Sequence, residues 1–489
     1  MSSTLVWGIV IIYIIIASII AFLSRRGNET TMDGYFLGNR GLNGFVSALS
    51  YSATTFSAFM LVGLAGLTYK GGVGAYGFEI IYFLGVSLVA IFGPRFWLIG
   101  KKNGYVTPSE MLGDRYQNKW VAVVSAISSC LFLIPYSAVQ LTGIGYLLSG
   151  ATNNGITFTA GVLIATILAL IFTYIAGLRS VAWTDSLQAL IMIITATVVV
   201  LLLLNHLGGI GLFVNKLEAN NKEALSVPGD GFFNIWTFLG MTIPWFFFSI
   251  SNPQVSQRLF MPKSMKSLRS MLLGFMVFGF IYTVVSVTWG FSATLIFPDL
   301  DNPDLATPLL LSSDIIPPVL AAIVMVGIMA AAVSTIDSIL LTLSSLFSRD
   351  VYGNLKTDAK DKQQLLVGKL VIPIIAILAF LFAQLQLDLI AVLSVASSAG
   401  LIVTVPATIG TFFWKKGTAA GALTSIIISG LVVIYLEFTG TTPFGIMSGI
   451  WGLGISTILF IVVSLATNPP VDKAEEFTSI MKNRKQASL

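Results

Sequence analysis

The sequence predicts an all-α polytopic membrane protein, and three observations carry that prediction. Hydrophobic residues fill 55% of the 489 positions, charged residues only 10%, and the mean hydropathy is +0.88. A soluble chain has about 25% charged residues, so this chain has too few to cover a water-facing surface. Apolar runs of about 20 residues, long enough to cross a bilayer, recur along the chain.

Thirteen such runs predict thirteen transmembrane helices in one domain, residues 1–467, followed by a tail, 468–489. The runs are 4–24, 43–69, 75–99, 121–149, 155–177, 180–206, 232–253, 270–297, 310–347, 366–385, 388–413, 419–438 and 444–467. The first run has no basic segment before it and is followed by Arg25 and Arg26, which is the wrong polarity for a cleaved signal. We therefore expect it to remain as a helix.

The basic residues predict the orientation of these helices. If the N-terminus is outside, the cytoplasmic loops and the tail contain all of the 27 Lys and Arg except Lys70, Lys216 and Lys222. This agreement with the positive-inside rule predicts a multi-pass protein of the cell membrane with a cytoplasmic C-terminus. The positive charge is thereby explained by topology, and no nucleic-acid partner is implied.

The composition also excludes several kinds of activity. One cysteine, Cys130, and one histidine, His206, leave no disulfide, no Cys/His metal cluster and no His-based catalytic triad, so we predict no enzyme. No Gly-x-x-x-x-Gly-Lys-[Ser/Thr] loop is present for an ATP-driven pump. A channel is an alternative, but it predicts a continuous polar stripe on several helices, whereas the polar residues cluster at the middle of a few.

Three acids lie inside predicted spans: Glu79, Asp185 and Asp337. Each costs at least about 2.5–3.5 kcal/mol at a helix centre, so each needs a reason. No Lys or Arg lies deep enough in a predicted span to neutralise them. Acids without fixed cationic partners predict a site for mobile cations, although protonation or hydrogen bonding remains an alternative, above all for Glu79.

Three irregular segments accompany the acids. Residues 47–57 and 330–348 are rich in Ser, Thr and Ala, and Asp337 shares a turn with Ser334 and Ser338. Hydroxyls, carboxylates and freed carbonyls are the oxygens that hard cations prefer. In the third segment, Pro244 and Pro253 predict a broken helix. Breaks at corresponding places in two five-helix halves indicate a midplane binding site.

Four segments resemble the sodium:solute symporter family, and together the resemblance extends over about residues 1–467. The segments are Asp33–Arg40 (DGYFLGNR), Gly177–Gln188 (GLRSVAWTDSLQ), Asn252–Arg258 (NPQVSQR), and Ala331–Ser338 followed by Arg349–Tyr352. The resemblance implies a LeuT-type fold with two inverted five-helix repeats, 43–206 and 232–413. One extra N-terminal helix, 4–24, and two C-terminal helices, 419–467, flank them.

The resemblance also implies Na⁺-driven symport by alternating access, with site residues carried over position by position. The sodium site would use the carbonyls of Ala53, Phe56 and Ala331 and the hydroxyls of Ser334 and Thr335. A second cation site would use Asp185 with Asp337 and Ser338, although relatives carry a serine where Asp337 stands. Two carboxylates there leave open whether a second Na⁺ or a proton is bound.

The solute implied by the resemblance is a small organic acid or an amino acid. The segment Ser52–Phe59 is similar to pantothenate and monocarboxylate permeases, whereas the family's proline transporters carry an Asp where Thr55 stands. We expect the solute near Thr55, Phe59, Gln140, Trp245, Ser249 and Asn252, in a chain that functions as a monomer. An H⁺-coupled symporter of the same fold remains an alternative.

Overall fold

The computed structural model describes residues 2–24, 31–220, 222–227, 231–356 and 358–482. The regular elements of these ranges are helices, and the only β-type pairing in them is an isolated bridge between Leu42 and Pro262. The helices of the first half are α1 (Ser3–Ser24), α2 (Met32–Leu37), α3 (Gly44–Thr55), α4 (Ala65–Gly71), α5 (Val73–Asn103), α6 (Pro108–Arg115), α7 (Lys119–Ala151), α8 (Phe158–His206) and α9 (Ile210–Asn220).

The second half repeats this pattern of long helices joined by short ones. Its helices are α10 (Ile235–Ser251), α11 (Pro253–Ser256), α12 (Met265–Ile296), α13 (Ala306–Ser312), α14 (Pro318–Ser345), α15 (Gly353–Leu355), α16 (Asp361–Ala383), α17 (Ile390–Leu401), α18 (Val405–Phe413), α19 (Ala419–Thr439), α20 (Ser448–Leu465) and α21 (Val471–Ser479). In hydrocarbon a helix satisfies its backbone internally, which is why apolar runs of this length fold in this way.

Ten helices of the described ranges are long and apolar enough to cross a membrane, and the bent pair Gly44–Thr55 and Phe59–Gly71 makes up to eleven. Helices occupy all thirteen predicted segments. Two of them, Phe158–Tyr174 and the 17-residue α10, are too short to count by themselves. The architecture of a polytopic helical protein is therefore confirmed, and the number thirteen stays a prediction.

Helix α8 contains two of the predicted spans. Its 49 residues would extend about 73 Å as a straight helix, more than twice the hydrocarbon thickness. Its C-terminal part runs antiparallel to α14, with Met192 beside Gly327 and Asp185 bonded to Ser334. That register places Thr173 opposite residue 346, yet Thr173 bonds to Asp337 instead. The segment therefore bends back between Thr173 and Asp185, so that its N-terminal and C-terminal parts both contact α14.

Polar residues begin the long helices by accepting bonds from their first free N–H groups. Asn118 caps α7, Thr157 caps α8, Asn234 caps α10 and Ser264 caps α12 in this way. Such caps satisfy donors that have no partner inside a helix. They fix where each helix starts, and hence which residues reach the middle of the bundle.

Helix α14 lies at the centre of the bundle and α1 at its edge. In the most apolar 18-residue stretch of each span, 83% of the residues are buried for the span that contains α14 but only 17% for α1. Helix α1 contacts α8, where the Gln188 amide donates to the Tyr13 hydroxyl at 2.8 Å. The hydroxyl-rich segment that contains Asp337 therefore belongs to one of the two most buried spans of the described ranges, the other being Ile390–Phe413.

The tail forms a helix, which the sequence did not lead us to expect. Phe477 of α21 packs against the rings of Tyr105 and Phe412, with centroids 6.4 and 5.9 Å apart. Partial burial raises the pKa of Glu476, but hydrogen bonds from Lys102 and Lys473 outweigh it and hold that pKa below its ordinary value. The ionised Glu476 thus helps to attach α21 to the end of α5, while Lys473 pairs with Asp114 of α6.

Close packing of α5 on α10 depends on Gly85. A Cβ at this position would collide with the backbone carbonyl of Phe246, which cannot rotate away. We predict that Gly85→Ala lowers the free energy of unfolding by about 1–3 kcal/mol, as overpacking does elsewhere. Thermal unfolding in detergent measures the effect, and Gly454→Ala is the control because no described atom lies within 4 Å of its added Cβ. Equal melting temperatures for the two variants would contradict the prediction.

Candidate functional site

Two helices are interrupted near the middle of the bundle. Helix α3 ends at Thr55, Phe56 leaves the helical conformation with φ −96° and ψ 82°, and a π-helical turn resumes at Phe59 after a bend of 51°. Helix α10 ends at Ser251, and Asn252, with φ −83° and ψ 114°, separates it from α11. The predicted break therefore lies at Asn252, whereas Pro244 stays inside α10.

Three oxygens of the predicted sodium site converge where α3 approaches α14. The Thr335 hydroxyl lies 3.2 Å from the carbonyl oxygen of Ala53 and 3.0 Å from that of Ala331. All three residues are completely buried. Two carbonyls and a hydroxyl in a dry environment are the kind of oxygen ligands that a hard cation prefers, so the residues present fit Na⁺. Phe56 follows at the end of α3.

Ser334 faces a different group. Its hydroxyl donates to Oδ1 of Asp185, while the hydroxyl of Ser50 donates to Oδ2 at 2.8 Å. Asp185 has no exposed surface. Ser334 and Thr335 are adjacent on α14, so the oxygen cluster and the Asp185 carboxylate lie next to one another.

A buried arginine completes this arrangement and corrects the sequence analysis. Arg258 was assigned to a cytoplasmic loop, and the intramembrane acids were expected to have no basic partner. Instead its guanidinium is 3% exposed and lies 3.7 Å from the Asp185 carboxylate. It donates to Ser50 and Ser338 at 2.5 Å each, and also to Thr54. The buried guanidinium is tolerated because Asp185 balances its charge and three hydroxyl groups accept its hydrogen bonds.

Arg115 departs from the loop assignment in the same way. Its side chain is buried and donates to the carbonyls of Thr411 and Trp414 at 3.2 and 3.1 Å. Arg115 and Arg258 are therefore structural residues. The basic residues counted under the positive-inside rule include these two, which are buried in the bundle.

The predicted second cation site is divided by these contacts. Asp337 is buried and accepts one bond, from the Thr173 hydroxyl at 3.2 Å. Ser338 accepts from Thr54 at 2.9 Å and from Arg258, so it faces the arginine. Asp185 binds Ser334 of α14, one turn before Asp337 on that helix, but in the described ranges Arg258 forms an ion pair with Asp185 alone.

A second polar region lies on the other side of the α3 break and is lined by aromatic rings. Trp245 packs against rings of the π-helical turn after α3, of α5 and of α10. The centroid distances are 4.8 Å to Phe59, 5.5 Å to Phe78, 5.5 Å to Tyr82 and 4.6 Å to Phe248. We call this set, together with Tyr136 of α7, the aromatic chamber; Tyr136 lies 5.8 Å from Phe248.

Polar groups with unused bonding capacity follow these rings on the same helices, within one helical turn of them in sequence. Among the described residues, no hydrogen-bond partner is found for either carboxylate oxygen of Glu79, either amide atom of Gln140, or the indole nitrogen of Trp245. Asn252 accepts from the Gln254 N–H at 2.9 Å, but its Nδ2 has no partner in the described ranges. Buried polar groups are normally bonded, so this concentration points to a ligand.

Two predicted solute residues are engaged elsewhere. The Thr55 hydroxyl donates to the Tyr51 carbonyl at 2.8 Å, within its own helix, and the Ser249 hydroxyl donates to the Gly85 carbonyl at 3.2 Å. Both side chains therefore have partners without a solute. Gln140, Trp245 and Asn252 each have a polar atom without a partner in the described ranges, and with Phe59 they stay predicted solute contacts.

Sequence reasoning missed Arg258, Ser50, Thr54 and Thr173 around the two acids, and Phe78, Tyr82 and Tyr136 in the aromatic chamber. Arg258 carried a signal, because Leu259, Phe260 and Met261 follow it directly and an apolar run is unusual beside a loop arginine. The aromatic residues carried none, because aromatic residues are common throughout apolar helices.

Solved structures share this fold. A substrate-bound, outward-open Na⁺-coupled sialic acid symporter superimposes with a TM-score of 0.79 at 22% identity, covering 95% of this chain and 98% of that one. Mhp1, a nucleobase-cation-symport-1 family transporter in a closed conformation, gives a TM-score of 0.55 at 10% identity, with 91% and 98% covered. These likenesses show the LeuT-type transporter fold.

Curated relatives match over nearly the whole length. The sodium/pantothenate symporter of Haemophilus influenzae is 28% identical over 465 residues, covering 94% of this chain and 95% of the relative. The osmoregulated proline transporter OpuE of Bacillus subtilis is 25% identical over 488 residues, covering 96% of each. The family model described as "Sodium:solute symporter family" matches residues 35–429. The chain therefore belongs to the sodium:solute symporter family, and like its relatives it is a membrane transporter rather than an enzyme.

Proposed function

We propose that the chain is a Na⁺-coupled symporter that imports a small organic solute by alternating access. The observation that carries the proposal is the convergence of the Ala53 and Ala331 carbonyls on the Thr335 hydroxyl at the break of α3. Phe56 and Ser334 complete the proposed sodium site, with Ser334 turning from Asp185 toward the ion. Membership of the family and the chemistry of these oxygens both support Na⁺ as the coupling ion.

Coupling follows from the position of the two sites on one broken helix. Ala53 precedes the break in α3, and Phe59, a wall of the aromatic chamber, is the first residue after it. An ion that holds α3 against α14 also fixes the orientation of Phe59. Because binding free energies are reciprocal, a solute that prefers this arrangement strengthens Na⁺ binding by the same factor.

The solute in this proposal is an organic acid or an amino acid. Two relatives are named for pantothenate and proline, which are of that kind. We assign the site to the aromatic chamber, with Phe59, Gln140, Trp245 and Asn252 as contacts and Thr55 and Ser249 as helix-bracing neighbours. The proposed protein functions as a monomer with thirteen spans in the cell membrane, its N-terminus outside and its C-terminus cytoplasmic.

A second candidate is H⁺ coupling, and Asp337 favours it. With Asp185 compensated by Arg258, a charged Asp337 leaves the buried cluster with one net negative charge and one hydroxyl partner. One monovalent cation, either a second Na⁺ or a proton, would neutralise it. The second cation site is therefore proposed at Asp337, beside Thr173, rather than symmetrically between the two acids.

Removing the Thr335 hydroxyl tests the sodium site. We predict that Thr335→Ala weakens Na⁺ binding about tenfold or more, since a lost bond to a charged partner costs about 1.5–3 kcal/mol. Thermal stabilisation of the purified protein by Na⁺ against K⁺ measures it. Thr342→Ala, also buried on α14, is the control. Unchanged Na⁺ affinity in Thr335→Ala would exclude the site.

Breaking the buried ion pair tests the role of Arg258. We predict that Arg258→Gln destabilises the protein by about 3–5 kcal/mol, because Asp185 is left buried without its partner. The double variant Asp185→Asn with Arg258→Gln is expected to recover part of that loss. Thermal unfolding of the four proteins in the cycle gives the coupling, and the exposed Arg269→Gln controls for charge. Additive single effects would show that the two side chains are independent.

Uptake measured without Na⁺ tests the second candidate. If a proton binds Asp337, acidifying the outside of proteoliposomes drives solute uptake in K⁺ medium, and Asp337→Asn abolishes that uptake while sparing Na⁺-driven uptake. If Asp337 binds a second Na⁺, acid drives nothing, and Asp337→Asn lowers the Hill coefficient for Na⁺ instead. The exposed Asp388→Asn serves as the control.

A further inference from the structure

The carboxylate of Glu79 lies in the aromatic chamber without an electrostatic partner. It is completely buried in α5, and neither oxygen has a hydrogen-bond partner among the described residues. Trp245 is close enough to interact with it, although no hydrogen bond joins the two. An isolated carboxylate at this depth is expensive, so its retention requires a function.

No fixed cation of the described ranges is available to Glu79. The buried basic residues there are Arg115 and Arg258. Arg115 is bonded to the carbonyls of Thr411 and Trp414, and Arg258 faces Asp185 and its hydroxyls. Within the described ranges, an ionised Glu79 can therefore be compensated only by a proton or by a cation that arrives with a ligand.

The walls around Glu79 favour an organic cation. Phe78 is adjacent to it in sequence, Tyr82 is one helical turn away, and both rings lie 5.5 Å from that of Trp245. Aromatic faces attract ammonium groups through their quadrupole, Trp most strongly, and the attraction grows when water is excluded. Na⁺ is a hard cation that prefers oxygen ligands, so aromatic faces favour an organic ammonium over it.

We propose that the transported solute carries an ammonium group, which binds between the Glu79 carboxylate and the ring of Trp245. This rests on the proposed transport function and narrows its solute from organic acids in general to amino acids and related amines. A carboxylate placed at this end of the chamber would be repelled by Glu79. In this proposal the carboxylate of a zwitterion is held by Nδ2 of Asn252, a donor that has no partner in the described ranges.

The test is a thermal-shift panel on the purified full chain in Na⁺ and in K⁺. Ammonium-bearing probes are proline, alanine, glycine betaine and choline, and probes without an ammonium are lactate, pyruvate and pantothenate. We expect stabilisation by at least one ammonium-bearing probe and none by the other set. We also expect Glu79→Gln to lower the affinity for that probe by at least about 30-fold, because the substitution removes one partner of a buried charge pair.

Two comparisons make the outcome decisive. Glu437→Gln, which removes a carboxylate on α19 that accepts a bond from Ser448, should leave the response unchanged. Stabilisation of Glu79→Gln by Na⁺ alone shows that the variant is folded, and if it is not, the panel on the unmodified chain decides. Three results would overturn the inference. The first is that no ammonium-bearing probe stabilises the protein, and the second is stabilisation by lactate, pyruvate or pantothenate. The third is an unchanged affinity of a folded Glu79→Gln for the ammonium-bearing probe.

The same panel separates this inference from the transport proposal. Na⁺-dependent binding of a carboxylate without an ammonium would contradict the role of Glu79 and leave Na⁺ coupling intact. Binding of an ammonium-bearing probe that is equal in Na⁺ and K⁺ would support the role of Glu79 and contradict Na⁺ coupling.

Discussion

The buried contact between Arg258 and Asp185 is the interaction on which the centre of this protein depends. It joins the residues after the break at Asn252 to the C-terminal part of α8. The hydroxyl groups that bind Arg258 belong to Ser50 and Thr54 of α3 and to Ser338 of α14. Four segments distant in sequence therefore share one charge-compensated cluster. Because the membrane interior offers no water, the cluster forms completely or costs several kcal/mol.

The cluster also explains how two sites of different chemistry lie so close together. On one side, Ala53, Ala331 and Thr335 offer oxygens to a small cation without adding a fixed charge. On the other side of the α3 break, the aromatic chamber offers rings and a few unpartnered polar groups to an organic solute. Arg258 neutralises Asp185, so that acid would not compete for an ion at the proposed sodium site. The break in α3 lies between the proposed sodium site and the proposed solute site.

Much of this arrangement could be predicted from the sequence. Apolar run length indicated the helical spans, the hydroxyl-rich stretch indicated the break of α3, and the proline at 253 indicated the break at Asn252. The charge partners could not be predicted, because periodicity says nothing about which loop residue turns inward. Arg258 follows a short helix that directs it into the bundle, and only the packing of α11 on α3 and α14 reveals this. The engagement of Thr55 and Ser249 was hidden for the same reason.

The most direct test of the account is a structure of the protein in lipid nanodiscs, determined once in Na⁺ and once in K⁺ at a resolution that shows bound ions. The account predicts density among the oxygens of Ala53, Ala331 and Thr335 in Na⁺ only, with Arg258 still beside Asp185. Density at Asp185 with Arg258 displaced, or no ion at the α3 break in either salt, would contradict it.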